Sequence, residues 1–155
     1  MLDHATLRVY NVVINNSVLI FFPIDEDHCR IASYSFKTLN ELHESGVEVS
    51  ICLSDKLVGL IEPIHCKKYT YLKKNKCIKK LYNNIDNTKS YDMIIDLNPI
   101  PNLDISEIIK DLTAIYKIGF KSGISDAFYN IQLDISNNNF LETSYSRIKN
   151  ILQIS

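Results

Sequence analysis

Charge of either sign is scarcely in excess: lysine and arginine total 17, aspartate and glutamate 18, for a net charge of −1. So small a net charge gives no global case for nucleic acid or for an acidic partner. Glycine is scarce, with 4 residues in the whole chain, and none falls in the turn after the first apolar run. That argues against a phosphate cradle at the turn, where the neighbouring acids would also repel an anion. The 4 cysteines (Cys29, Cys52, Cys66 and Cys77) form no CxxC pair, which points to a reducing compartment and no disulfide framework. The 4 histidines (His4, His28, His43 and His65) are scattered, and no spacing suited to a metal site recurs. No GxSxG motif marks a nucleophile. No apolar run approaches the ~20 residues that span a bilayer. The amino terminus carries an acid and lacks the apolar core of a signal peptide. These absences together predict a chain without metal or cofactor, cytoplasmic or lying peripherally at the inner membrane face.

What is present suits a soluble globular domain: 155 residues, 46% apolar and 23% charged, enough chain to bury a real core. Residues 1–155 read as one domain, with 1–16 an amino-terminal arm or an extra edge strand. Val18–Phe22 is continuously apolar, as a strand covered on both faces should be. Pro23 ends it, because proline cannot donate to a ladder. Ile24-Asp25-Glu26-Asp27-His28 then forms an acidic turn. Asp25 or Asp27 is placed to cap a helix whose apolar stripe (Ile31, Phe36, Leu39, Leu42) runs to a C′ glycine at Gly46. Val47–Leu53 reads as a second strand, Ser54 as the cap of a short helix through Leu60, and His65–Tyr71 as a weaker strand. A helix is expected around Lys74–Tyr82. Asp92–Leu97 reads as a strand. A helix capped by Asp104 or Ser106 should run to about Ile115, followed by a short strand at Tyr116–Phe120. Tyr129–Ile135 alternates as a half-exposed strand does, Ser136–Asn139 turns, and Leu141–Leu152 closes the chain as a helix. Strand–helix alternation throughout predicts a three-layer α/β sandwich with a mainly parallel sheet.

Candidate chemistry lies at the carboxyl ends of the strands, where open α/β sheets bind their ligands. In the acidic turn, Asp25 or Asp27 could serve as general base on a hydroxyl, with His28 orienting or sharing the proton. The competing role is structural: one acid caps the helix and complements its dipole, and the others are solvated. Asp96, at the end of its strand, could bind a sugar hydroxyl or fix the following turn through loop N–H groups; Asn98 has the same two roles open. Seven lysines lie between Lys67 and Lys80, interleaved with Tyr69 and Tyr71. They form either a phosphate-contacting patch or a solvated helix face.

The segments VLIFFPIDEDHCRIASYSFKTLNEL, VEVSICL, YDMIIDLN and AIYKIGF, in that order, resemble the amino-terminal half of glycosyltransferase family 9, the ADP-heptose:lipopolysaccharide heptosyltransferases. Tyr91–Leu97 looks like that family's Tyr-Asp-hydrophobic-hydrophobic-Ile-Asp-Leu strand, and Ile118–Phe120 like its Ile-Gly-Phe turn. The resemblance covers residues 17–135. It implies one Rossmann-like half of a GT-B arrangement, the half that holds a sugar or glycolipid acceptor. The nucleotide-sugar domain would lie on another chain, as in a split or truncated transferase. It also implies a catalytic aspartate in the first loop. An ungapped match places His28 there, a one-residue shift places Asp27 there, and Asp25 is the other aspartate of the loop. Asp96 and Asn98 would then bind the acceptor. The family's first loop carries Gly-Asp preceded by serines, where this chain has Ile-Asp-Glu-Asp-His. The plan is also similar to short single-domain proteins of Bacteroidetes, for which no activity is implied. The alternative expectation is a non-catalytic structural or protein-interaction domain.

Overall fold

Five consecutive residues, Val18–Phe22, are completely buried. A strand can hide every side chain only if both faces of its sheet are covered. The computed structural model, which describes residues 17–61, 64–74, 77–81, 85–135 and 140–154, shows this arrangement. Strand β1 (Ser17–Phe21) lies between β2 (Glu48–Ser54) and β5 (Ser90–Asp96), parallel to both. β3 (Lys67–Lys74) follows β2, and β4 (Cys77–Leu81) runs antiparallel beside β3. On the other side β6 (Thr113–Phe120) and β7 (Ile131–Leu133) extend the parallel sheet. The order of the 7 strands is β4-β3-β2-β1-β5-β6-β7.

Side chains alternate across a strand, so β1 feeds two separate cores. Val18, Ile20 and Phe22 pack with Cys29 and Ala32 of helix α1 (Glu26–Ser35), with Phe36 and Leu39, and with Leu42 of the short helix α2 (Asn40–Glu44). The same core takes Leu57 and Ile61 from a 3-10 helix (Asp55–Ile61), and Tyr145, Ile148 and Ile151 from the last helix, which is named α4 below. Leu19 and Phe21 point the other way, to Ile105 and Ile109 of helix α3 (Leu103–Asp111) and to Tyr71 and Ile94. Burying one such aliphatic or aromatic side chain contributes roughly 1.5–3 kcal/mol. A slip of β1 by one residue would exchange the two sets. α4 (Leu141–Leu152) occupies the span expected for it.

Crossovers between parallel strands are right-handed. The connection through α1 leads from β1 to β2, and that through α3 leads from β5 outward to β6. Travel in opposite directions with the same hand puts the two helices on opposite faces, as the two cores show. The chain therefore leaves β1 and β5 towards opposite faces at the carboxyl end of the sheet, the kind of place where open α/β sheets keep a ligand crevice.

Five local expectations are corrected. The lysine-rich segment expected as a helix around Lys74–Tyr82 is instead a hairpin, with Lys73 opposite Ile78 and Lys74 opposite Cys77. Tyr69 and Tyr71, two apart, are buried on β3, and this period-2 burial with β-favouring tyrosines and threonine overrides the helix propensity of lysine. The first helix does not run unbroken to His43: turns at 36–39 separate α1 from α2, which brings both Phe36 and Leu39 into the core. α3 stops at Asp111 because the chain from Thr113 is drawn into the sheet, Thr113 opposite Ser90 and Ala114 opposite Tyr91. Its cap is Asn102, whose side chain accepts from the Ile105 N–H at 3.1 Å, in place of Asp104 or Ser106. The expected strand at Tyr129–Ile135 shortens to Ile131–Leu133. Gly46 does close α2, with φ of +93°. The Gly46 and Val47 N–H groups donate to the His43 and Leu42 carbonyls at 3.0 and 3.1 Å, the paired bonds of a Schellman turn. The arm or edge strand expected at 1–16 and the turn expected at 136–139 lie outside the described residues.

Candidate functional site at the divergence of β1 and β5

The first loop is built from its own sequence. Pro23 stops β1, and Asp25, extended at φ −73° and ψ 133°, caps α1 by accepting from the His28 N–H at 3.1 Å. Short polar side chains are favoured there because they satisfy an orphan N–H at the helix start. The same oxygen, Asp25 Oδ2, lies 3.4 Å from His28 Nδ1. The structure thus joins two of the candidate residues in one carboxylate–imidazole pair. Asp27 sits in the first turn of α1, exposed. Glu26 is paired with Arg30 one turn on, at 2.8 Å.

The second loop is built differently. Asp96 and Asn98 are buried, at 2% and 6% exposure, and their polar atoms are spent inside the fold. Asp96 Oδ1 accepts from the Asn98 N–H at 3.0 Å and from Asn98 Nδ2 at 2.7 Å. Asn98 Oδ1 accepts from the Ile24 N–H at 2.9 Å. The Tyr129 hydroxyl donates to Asp96 Oδ2. Asp96 and Asn98, which the resemblance would have contact an acceptor, are almost wholly enclosed. The pair instead fixes the residue from which the first loop starts. Lys73 Nζ donates to the Ile24 carbonyl at 3.1 Å, so the Ile24 backbone is clamped from β5 on one side and from β3 on the other. A third peg is Tyr145, whose hydroxyl donates to the Leu97 carbonyl at 2.6 Å.

Burial pushes the Asp96 carboxyl above its ordinary value of 3.8, against the lowering effect of the Tyr129 and Asn98 hydrogen bonds. In the interval above that ordinary value the folded chain holds a proton the unfolded chain has released. The contribution of Asp96 to stability therefore falls as pH rises through the interval and levels off above the folded pKa. Asp96→Asn should remove this slope. Urea unfolding of both proteins across that range is expected to show the wild type losing stability relative to the variant as pH rises; a relative gain would refute the assignment.

Beside the first loop, a cleft of about 320 Å³ is lined by Ile24, Glu26, Ser54, Lys56, Leu57 and Lys73. Ser54 is the last residue of β2, Lys56 lies in the 3-10 helix that follows, and Lys73 is near the end of β3. A larger groove of about 610 Å³ lies on the opposite rim, at the amino ends of β2 and β3, and includes His43, His65, Cys66 and Lys67. None of the candidate residues lines it. The lysine run is not one patch: β3 carries Lys67 and Lys68 at one rim and Lys73 and Lys74 at the other. The cysteines near the core do not act as nucleophiles. Burial raises Cys29 to about 11 and pushes Cys52 up as well, so neither is a thiolate at neutral pH. Among the described residues no three His, Cys, Asp or Glu side chains are grouped to hold a metal ion.

Ser54, Lys56, Tyr129 and Tyr145 are not marked as site residues by the sequence, and Lys73 is marked only as one of a run of seven lysines. Tyr129 and Lys73 lie 33 and 49 positions from their partners, and no local pattern announces a contact at such range. Ser54 and Lys56 had a weak signal, since they directly follow a buried strand.

The class defined by these features is an open, mainly parallel α/β domain of Rossmann-like type, with polar loops leaving the sheet where its strand order reverses. No family model matches the chain, and no curated protein matches it by sequence. Among solved structures it is similar to the Escherichia coli heptosyltransferase WaaC with ADP, at a TM-score of 0.58 and 11% identity. The match covers 90% of this chain and 48% of that one, so the chain spans about half the length of the enzyme it resembles. At this identity the likeness is one of fold. Among the described residues no helix is long and apolar enough to cross a membrane.

Proposed function

We propose that this chain is a heptosyltransferase-like acceptor domain, which binds a sugar or glycolipid acceptor at the crevice between β1 and β5. It would work with a second Rossmann-like domain on another chain that supplies the nucleotide sugar. The observation that carries the reading is that Asp25, Asp27 and His28 lie at the β1–α1 junction, at the strand-order reversal of a fold that overlays half of a heptosyltransferase. In this role Asp27 or Asp25 takes the proton of the acceptor hydroxyl, and His28, beside Asp25, orients or shares it. Asp96 and Asn98 position the loop from within. Lys56 and Lys73 face the neighbouring cleft and suit a carboxylate or phosphate on the acceptor. Transfer of this kind belongs to lipopolysaccharide assembly, on the cytoplasmic side or at the inner membrane face.

The test is a titration of the isotope-labelled chain with deacylated, heptose-free lipopolysaccharide core oligosaccharide, followed by amide NMR. Expected are shifts at Asp25, Asp27, His28, Lys56 and Lys73. No shifts, or shifts confined to the groove around His43 and His65, would sink the reading. A second reading, a non-catalytic interaction domain, is favoured by one specific observation. Ile100 on the loop after β5, Leu103 at the start of α3 and Ile124 on the loop after β6 are 70%, 60% and 43% exposed. Apolar side chains presented on one rim suit a protein partner.

A further inference from the structure

The Ile24 peptide is the root of the turn that leads into Asp25 and the first turn of α1, with Asp27 and His28, and its N–H is held by a chain of buried side chains. Asn98 Oδ1 accepts from it at 2.9 Å. Asn98 is held by Asp96 Oδ1 at 2.7 and 3.0 Å. Asp96 Oδ2 is held by the Tyr129 hydroxyl. The Tyr129 oxygen lies 3.2 Å from Ser106 Oγ, a pair in which either atom can donate. Tyr129 is kept in place by Gly119, where a Cβ would meet its ring carbons at 2.5 Å. The series runs from the β6–β7 segment, across β5, to the β1 loop, and each step joins side chains that are 8% exposed or less.

We infer that Tyr129, Asp96 and Asn98 are positioning residues that act as a relay. Through them the segment between β6 and β7 sets the place of the candidate catalytic loop, and the relay works with its hydroxyl hydrogen bonds running in either direction. With Asp96 as carboxylate, Ser106 donates to Tyr129 and Tyr129 donates to Asp96. When Asp96 binds a proton, that proton is donated to the Tyr129 oxygen, and Tyr129 turns its own hydrogen to Ser106 Oγ. Only hydrogens rotate. Asp96 Oδ1 remains an acceptor for Asn98 in both states, so Ile24 stays held. The other titratable groups around Asp96 are the phenols of Tyr71 and Tyr145, which burial raises and which the Asp96 charge raises further. No cation is among the groups that act on Asp96.

The two-way character makes an unusual demand: asparagine must work at position 96. In Asp96→Asn the side-chain oxygen still accepts from Asn98, and the new amide nitrogen donates to the Tyr129 oxygen, which then donates to Ser106. Alanine leaves both neighbours unpaired. Amide hydrogen exchange of the whole chain reads this without any ligand, so the outcome is independent of whether the acceptor reading holds. The amides of Phe22, bonded to the Cys52 carbonyl, and Leu97, bonded to the Phe21 carbonyl, are internal references next to the relay.

Expected are a tenfold or greater rise in Ile24 exchange relative to those references in Tyr129→Phe and in Asp96→Ala, and a rise of less than threefold in Asp96→Asn. Tyr129→Phe keeps the ring on Gly119 and loses only the hydroxyl, so the fold is retained. If Asp96→Ala does not fold, Tyr129→Phe against Asp96→Asn still decides. Unchanged Ile24 exchange in Tyr129→Phe, a general rise shared by Phe22 and Leu97, or an Asp96→Asn effect as large as that of Tyr129→Phe would each overturn the relay. An intact exchange pattern together with a failed oligosaccharide titration would sink the acceptor reading alone.

Discussion

Alanine at Gly119 is expected to destabilise the protein by about 3 kcal/mol. One methyl group added to a well-packed interior costs typically 1–3 kcal/mol. Here it would meet the Tyr129 ring at 2.5–2.6 Å, inside any real carbon contact, and the obstacle is a buried ring between two short segments, with little freedom to move aside. The displaced ring also withdraws its hydroxyl from Asp96. A buried acceptor left without its donor costs a further ~1–3 kcal/mol. For a chain of this size each kcal/mol is worth roughly 2–4 °C in Tm, so a fall of about 10 °C should appear in a thermal melt. Combining Gly119→Ala with Tyr129→Ala removes the ring, and should make the glycine substitution nearly silent in that background. Additive losses would show that the clash is not with Tyr129.

The second expected result is kinetic. If the β1 loop supplies the base, Asp25→Asn combined with Asp27→Asn should lower transfer by about 10²–10⁴-fold when the chain is combined with the domain that provides the nucleotide sugar. Asparagine caps a helix about as well as aspartate, and both positions are exposed, so melting temperature should hold within a few degrees. The single variants separate the two arrangements open at this loop. Loss in Asp27→Asn alone identifies Asp27 as the base. Loss in Asp25→Asn and in His28→Asn, with Asp27→Asn active, identifies the pair joined at 3.4 Å. Full turnover in the double variant would remove the base from this loop.

Much of the architecture could be read from the residues because it depends on periods of two and on short-range punctuation. Val18–Phe22 is apolar at every position, which fixes a doubly covered strand. Asp25, Gly46 and Pro23 act within a few residues of themselves, and each does in the structure what its chemistry suggests. Misreadings arose where local preference and tertiary pairing disagree. The lysines of residues 73–80 favour a helix, but Tyr69 and Tyr71 need the sheet face, and the hairpin follows. Ile115 continues the apolar stripe of α3, but Thr113 and Ala114 are claimed by β5.

The resemblance to a heptosyltransferase half rested on ordered motifs, and the fold comparison agrees with it at the level of architecture. Three of those motif residues, Gly119, Asp96 and Asn98, turn out to be linked through Tyr129, which lies outside the motifs. Gly119 seats Tyr129, Tyr129 holds Asp96, and Asp96 holds the Asn98 that anchors Ile24. Their physical reason was invisible along the chain, because the contacts that bring these segments together join residues far apart in sequence.

The stretch that ends β1 and opens α1 shows where the boundary lies. By itself the sequence determined that a buried strand stops at Pro23, that an acid caps the next helix, and that no glycine is present to admit a phosphate. Those outcomes follow from backbone geometry and from charges a few ångströms apart. Only the tertiary structure decided that Asp25 and not Asp27 is the cap, that His28 pairs with it, and that Asp96 and Asn98 face inward. It also decided that Lys73 and Asn98 clamp the same peptide. Such outcomes depend on which strands become neighbours, and strand order is set by the sum of packing on both faces of the sheet, a quantity that no single segment carries.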